Sequence, residues 1–190
     1  MNRFPVIGIV GPQASGKTEV ASKMVELGAA RVRMGNVVWE EVKNRNLELS
    51  ESNVAKVAED LRSKEGMSAV AKRCIPIIKE EGRENNSVVV DGIRGIDEVE
   101  KFKEEFGEDF ILLSVKSSRK TRYERITERK REDDTQDYDS FREKDDRELG
   151  WGLKKAIESA DYLIENEGSL EDLRKKTFDI FRKIVSKYEG

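Results

Sequence analysis

The chain has 190 residues, enough for one α/β domain with a full core. Charged residues make up 39% of it, yet the signs nearly cancel to a formal −3, which argues against bulk electrostatic binding to nucleic acid or to an anionic membrane. With no histidine and a single cysteine, Cys74, the chain excludes histidine bases, histidine metal sites, disulfide frameworks and thiolate clusters.

Met1 to Pro5 leads into the first strand without a signal-peptide core, and no apolar run approaches the roughly 20 residues of a membrane span. A reducing cytoplasm is the expected location. Phe4 to Val10 reads as a buried strand, and Gly11-Pro12-Gln13-Ala14-Ser15-Gly16-Lys17-Thr18 follows it with the pattern G-x-x-x-x-G-K-[ST]. Glycines in such a loop let successive amides turn inward at an anion, and the helix read over Lys17 to Leu27 adds its positive N-terminus. Lys17 is expected to reach the β- and γ-phosphates of a nucleotide and Thr18 to ligate Mg²⁺. Pro12 stiffens the loop, while Gln13, Ala14 and Ser15 serve it through backbone geometry. Gly28 is placed to cap the helix.

Further strands are expected at Arg31 to Met34, Ser87 to Val90, Asp109 to Val115 and Asp161 to Ile164, with helices between them. This alternation predicts a parallel sheet covered on both faces. Residues 36–81 hold several helical segments and no strand, which predicts a helical insert beside the loop. Val88-Val89-Val90 delivers Asp91 at a strand's C-terminal end, where a carboxylate can partner Mg²⁺ or simply start the turn at Gly92. Arg94 stands at the same mouth, suited to phosphate oxygens or to a surface ion pair. Residues 117–149 alternate arginines with carboxylates. That run fits either a solvated, ion-paired helix pair or a lid that closes on phosphates. Cys74 reads as a small buried hydrophobe, and Trp39 and Trp151 as packing residues with the capacity to stack on a base. Ser169, three residues before Asp172, opens a last amphipathic helix.

The loop, the Asp91-Gly92-Ile93-Arg94 segment, the helical insert and the arginine-rich run together resemble nucleoside monophosphate kinases, adenylate kinase and dephospho-coenzyme A kinase, and an archaeal nucleotide-kinase-related group. That resemblance implies a three-layer α/β/α P-loop NTPase fold with a five-stranded parallel sheet of order 2-3-1-4-5, in one domain with an acceptor-binding flap and a lid. Arg125-Ile126-Thr127-Glu128-Arg129 is similar to the opening of the family lid, which implies Arg125 against the ATP base and Arg129 on its phosphates, in a catalytic set with Lys17 and Asp91. By the same resemblance Arg94 falls on the acceptor phosphate, and Arg142 and Arg147 flank the aspartate pair, Asp145 and Asp146, that closes the lid. Asn166, Gly168 and Ser169 resemble the adenine-side loop of dephospho-coenzyme A kinases.

The departures concern the acceptor. Met34-Gly35-Asn36 replaces the Thr-Gly-Asp of adenylate kinases, and Trp39 falls at their AMP-phosphate arginine, so AMP is disfavoured. No carboxylate follows the second strand at Asn36 to serve a hydroxyl acceptor as a base, whereas a phosphate acceptor needs none. A phosphorylated acceptor is therefore expected, held by Asn36, Arg62, Arg73 and Arg94. The expected function is transfer of the γ-phosphate of MgATP to such an acceptor. Alternatives are an ATP-binding regulatory or assembly protein, a hydroxyl-acceptor kinase and, against the near-neutral charge, a polynucleotide kinase.

Overall fold

The computed structural model describes residues 3–129 and 137–189, without the side chains of Arg129 and Trp151. Five parallel strands form one sheet in the order β2-β3-β1-β4-β5. They are β1 (Val6–Val10), β2 (Ala30–Arg33), β3 (Val88–Asp91), β4 (Phe110–Lys116) and β5 (Tyr162–Glu165). Each lies within two residues of its expected position. β1 is buried along its whole length because it pairs on both sides, Ile9 with Asp91 of β3 and with Leu113 of β4.

The pleat sorts the strand side chains between two cores. Val6, Val10, Val88, Val90, Phe110 and Leu112 face one layer of helices. Ile7, Ile9, Val89, Ile111, Leu113 and Val115 face α1 (Lys17–Glu26) and α9 (Leu170–Val185) on the other side. Full burial of such aliphatic side chains contributes about 1.5–3 kcal/mol each. That is what makes β1 a rigid base for the loop that leaves it.

α1 ends where expected: Gly28, at φ 101°, lets its own amide reach Val25 O and that of Ala29 reach Met24 O. Three helices without a strand connect β2 to β3: α2 (Met34–Asn44), α3 (Glu51–Glu65) and α4 (Ala69–Glu84). Cys74 is fully buried in α4, and burial pushes its thiol up to about 12. α5 (Ile96–Phe106) returns to β4. Between β4 and β5 come α6 (Arg119–Arg129), α7 (Tyr138–Glu148), one π-helical turn at Leu149–Leu153 and α8 (Lys154–Glu158). Ser169 caps α9 by accepting the Asp172 amide at 3.1 Å. Among the described residues no helix is long and apolar enough to cross a membrane.

The chain leaves β1 toward β2 and β3 on one side and reaches β4 and β5 on the other. The loop after β1 therefore opens at the carboxyl edge of the sheet where the strand order reverses, which is where ligands bind in open α/β sheets.

Candidate nucleotide and acceptor site

Residues 11–16 turn from β1 into α1 through Ala14 at φ 59° and Gly16 at φ 103°. Side chains from elsewhere in the fold hold the loop carbonyls. Gln13 O accepts from Arg122 at 3.3 Å, Ala14 O from Arg125 at 3.4 Å and Ser15 O from the Asn166 amide at 2.9 Å. Carbonyls drawn outward leave the opposite N–H groups turned into the loop. Among the described residues the amides of Gln13, Ala14 and Gly16 donate to no backbone carbonyl. The Ser15 hydroxyl is fully buried and has no hydrogen-bond partner among the described residues. A Cβ at Gly11 would stand 2.2 Å from Val115 O, and one at Gly16 would stand 2.5 Å from Asn166 Nδ2. Only glycine permits this closeness.

Lys17 Nζ donates to Gly11 O at 2.8 Å and to Pro12 O at 2.7 Å, so its charge lies inside the loop. Burial pushes the ammonium down to about 8, helped by the Arg94 charge and opposed by Asp91 and Glu148. A cation so placed gains strongly from an incoming anion. Thr18 is exposed at the start of α1. Asp91 ends β3 as expected, and its Oδ2 accepts from Arg31 at 2.5 Å in a largely buried ion pair. Arg31 also reaches the Ser22 hydroxyl of α1 at 3.4 Å. The sequence reading missed this arginine, which lies two positions before Arg33, the residue in register with Asp91 across the sheet.

The lid arginines are arranged differently from expectation. Arg122, which the sequence reading passed over, is buried and clasps both oxygens of Asp145 at 2.6 and 2.8 Å. Arg119 adds a bond to Asp145 at 2.9 Å and another to Asp146. Burial works to raise the Asp145 carboxyl, but Arg122 and then Arg119 outweigh it and hold it below the usual carboxylate range. Arg125 donates to Ser117 Oγ at 2.9 Å and Asn166 O at 3.0 Å as well as to the loop. Residues 119, 122 and 125 share one helix face by their spacing, the signal that would have found Arg122. The Arg129 side chain lies outside the described residues. Arg142 is half exposed and pairs with Asp139 at 3.5 Å, and Arg147 is exposed.

Beside the loop, α2, α3 and the segment from Gly92 to Glu98 enclose a cleft of about 1170 Å³. Arg62 and Arg94, two of the residues proposed to hold the acceptor, line it. Asn36, Arg73, Arg142 and Arg147 do not. Arg73 instead forms a bidentate pair with Glu65, 2.6 Å for each bond, because its turn of α4 faces the end of α3. Trp39 is 45% exposed on the wall of the cleft and not packed away. The residue that sequence reasoning missed is Glu98, 2% exposed in the first turn of α5. Its Oε2 accepts the Arg94 amide at 2.6 Å, and Arg62 stands 3.6 Å from Oε1. Burial pushes the carboxyl up, against that amide bond and the charges of Arg62 and Arg94.

The inward amides, the orphaned Ser15 hydroxyl and Lys17 suit the phosphates of a nucleotide, and the oxygen donors of Thr18 and Asp91 suit a hard divalent cation. Loop and sheet order together define a nucleotide-binding protein of the P-loop kinase fold. A family model described as an AAA domain matches residues 7–149. The UPF0200 protein of Methanosarcina acetivorans is 46% identical over 180 residues, which cover 95% of each chain. The UPF0200/UPF0201 protein of Archaeoglobus fulgidus is 49% identical over 184 residues, covering 97% of this chain but only 57% of the relative's own length. The chain belongs to the UPF0200 family. Among solved structures, a dephospho-CoA kinase from Campylobacter jejuni superimposes with a TM-score of 0.65 at 11% identity, over 96% of this chain and 98% of that one, a likeness of fold alone.

Proposed function

We propose that this chain is a small-molecule kinase that binds MgATP at residues 11–18 and an acceptor in the neighbouring cleft. One observation carries the reading: β3 runs beside β1, and directly after Asp91 it delivers Gly92 and Arg94 to the wall of the cleft, so the acceptor space opens beside the phosphate loop. MgATP would supply the transferable phosphoryl group and a divalent charge to neutralise its oxygens. The chain's own part is positioning and electrostatic stabilisation. Loop amides and Lys17 hold phosphate oxygens, Thr18 and Asp91 face the cation, and Arg94 bridges toward the acceptor. Arg122 and Arg125 keep the loop in shape from behind. With α6 and α7 closed over the site as a lid, water is kept from competing with the acceptor.

The test is acceptor-stimulated release of ADP. Lys17→Ala and Asp91→Asn should abolish it while thermal unfolding shows a folded protein. Wild-type turnover in either variant would sink the assignment.

A second reading is an ATP-binding protein that acts on a protein partner. The Archaeoglobus fulgidus relative favours it, because its greater length and double family designation attach further sequence to the shared region. Under this reading no small molecule raises the basal rate of ADP release.

A further inference from the structure

The cleft's electrostatics and a buried Glu98 oxygen left without a hydrogen bond among the described residues bear on what it holds. Among the described residues Glu51, Glu59, Asp97, Glu98 and Glu148 line it, against two cations, Arg62 and Arg94, and no lysine. Arg62 is already set against Glu98, and Arg73 is engaged with Glu65 elsewhere, which leaves Arg94 as the remaining arginine expected for an acceptor phosphate. A dianionic phosphate there would face more repulsion than attraction. Apart from Ser50, Ser63 and three glycines, the rest of the wall is mostly apolar. Met34 and Val38 are buried, while Trp39, Leu49 and Met67 stand 45–52% exposed around the opening. Large exposed side chains gathered on one concave surface mark a ligand site.

Glu98 supplies the directional element. A carboxylate whose whole task was to cap α5 would need one oxygen, and Oε2 does that through the Arg94 amide. Oε1 is buried and accepts no hydrogen bond among the described residues, and Arg62 at 3.6 Å is beyond hydrogen-bond reach. A buried acceptor atom left open costs free energy unless a ligand satisfies it.

We propose that the acceptor is an unphosphorylated alcohol with a flat apolar body, bound among Trp39, Leu49 and Met67, and that Glu98 Oε1 takes a hydrogen bond from an N–H or a second O–H on it. The reacting hydroxyl oxygen bonds to the γ-phosphorus as the bond to ADP breaks, ADP leaves, and the hydroxyl proton is released to solvent through the transferred phosphoryl oxygens. This rests on the kinase reading and replaces the phosphorylated acceptor expected from sequence. Nucleosides and aryl alcohols share the required chemistry, and the two are separated by assay.

The experiment measures ADP release from MgATP with the four ribonucleosides, with a set of benzyl alcohols, and with the monophosphate of each. The expected result is stimulation by members of one unphosphorylated set and none by their monophosphates. In Glu98→Gln, which retains an oxygen for the Arg94 amide but presents an N–H₂ where a carboxylate oxygen stood, KM for the stimulating acceptor should rise about tenfold or more while KM for ATP is unchanged. Unchanged ATP binding and melting temperature establish that the variant is folded. Stimulation by monophosphates alone, or an acceptor KM that Glu98→Gln leaves unmoved, overturns the inference while the kinase reading stands. If no compound of either kind stimulates, the kinase reading falls and takes this inference with it.

Discussion

Arg122 grips Asp145 through both carboxylate oxygens, and its other bonds run to Ser117 O and Gln13 O, so one guanidinium joins α6, α7 and the phosphate loop. The arginine also lies over the Phe141 ring, 5.6 Å from its centroid. α6 and α7 are thereby anchored to the phosphate loop.

Removing one member of that pair strands a charge in a dry site. Asp145→Ala should lower unfolding free energy by about 3–5 kcal/mol, measured by urea denaturation. Replacing both partners, Arg122→Met with Asp145→Leu, should recover most of that stability and still weaken ATP binding, because Gln13 O then loses its donor. Full ATP affinity in the double variant would show that the arginine only holds the helices together. The Asp145 carboxyl is depressed, so its stabilising effect is complete above its unfolded value near 3.9 and disappears as pH falls through the lower folded value. Acid unfolding of the wild type should therefore begin below about pH 4, and Asp145→Asn should flatten that limb.

Lys17 makes nucleotide binding depend on pH at the alkaline end. Its ammonium titrates at about 8 in the free protein, well below an ordinary lysine. Bound phosphates would raise that value, so above pH 8 binding must take up a proton and affinity must fall, whereas below about pH 7 no uptake occurs. Calorimetry at pH 8.5 in buffers of different ionisation enthalpy should report uptake approaching one proton, and Lys17→Met should report none. Pyrophosphate with Mg²⁺ is a sufficient ligand for the comparison.

The phosphate loop was legible in the sequence because its chemistry lies in eight consecutive residues between a strand and a helix. The sheet was legible because buried parallel strands read as apolar runs. The arginines were harder to place. Arg62 and Arg73 look equivalent on paper, and only the facing of α3 against α4 sends one to the cleft and the other to Glu65. Glu98 lies in Asp97-Glu98-Val99-Glu100, where nothing local marks which carboxylate will be buried. Arg31 and Asp91 are 60 positions apart and meet only because β2 pairs with β3. Residues selected by neighbours in space leave no signal in a single sequence.

Gly11 and Gly35 separate steric need from ordinary tolerance. Alanine at 11 would drive its Cβ to 2.2 Å from the Val115 carbonyl oxygen, and backbone cannot swing aside as a side chain would. Gly11→Ala should cost about 1–3 kcal/mol and eliminate ATP binding, read by melting and calorimetry. A Cβ at Gly35, in α2, meets nothing within 4 Å, and Gly35→Ala should leave stability unchanged or raise it by up to about 1 kcal/mol.

Arg62 and Arg73 give the sharpest test of where the acceptor binds. Arg73→Ala removes a half-exposed pair with Glu65, and solvent screening keeps its structural effect small. If the acceptor occupies the cleft, neither its KM nor kcat should respond. Arg62→Ala leaves Glu98 buried without its nearest cation, which raises the carboxyl further and favours its protonated form. A protonated Glu98 presents a donor where the ligand needs an acceptor. The acceptor KM of Arg62→Ala should therefore be raised most at acid pH and recover toward the wild-type value as the pH increases, while Arg73→Ala tracks wild type throughout. The opposite pattern, with Arg73 sensitive and Arg62 silent, would move the acceptor out of the cleft.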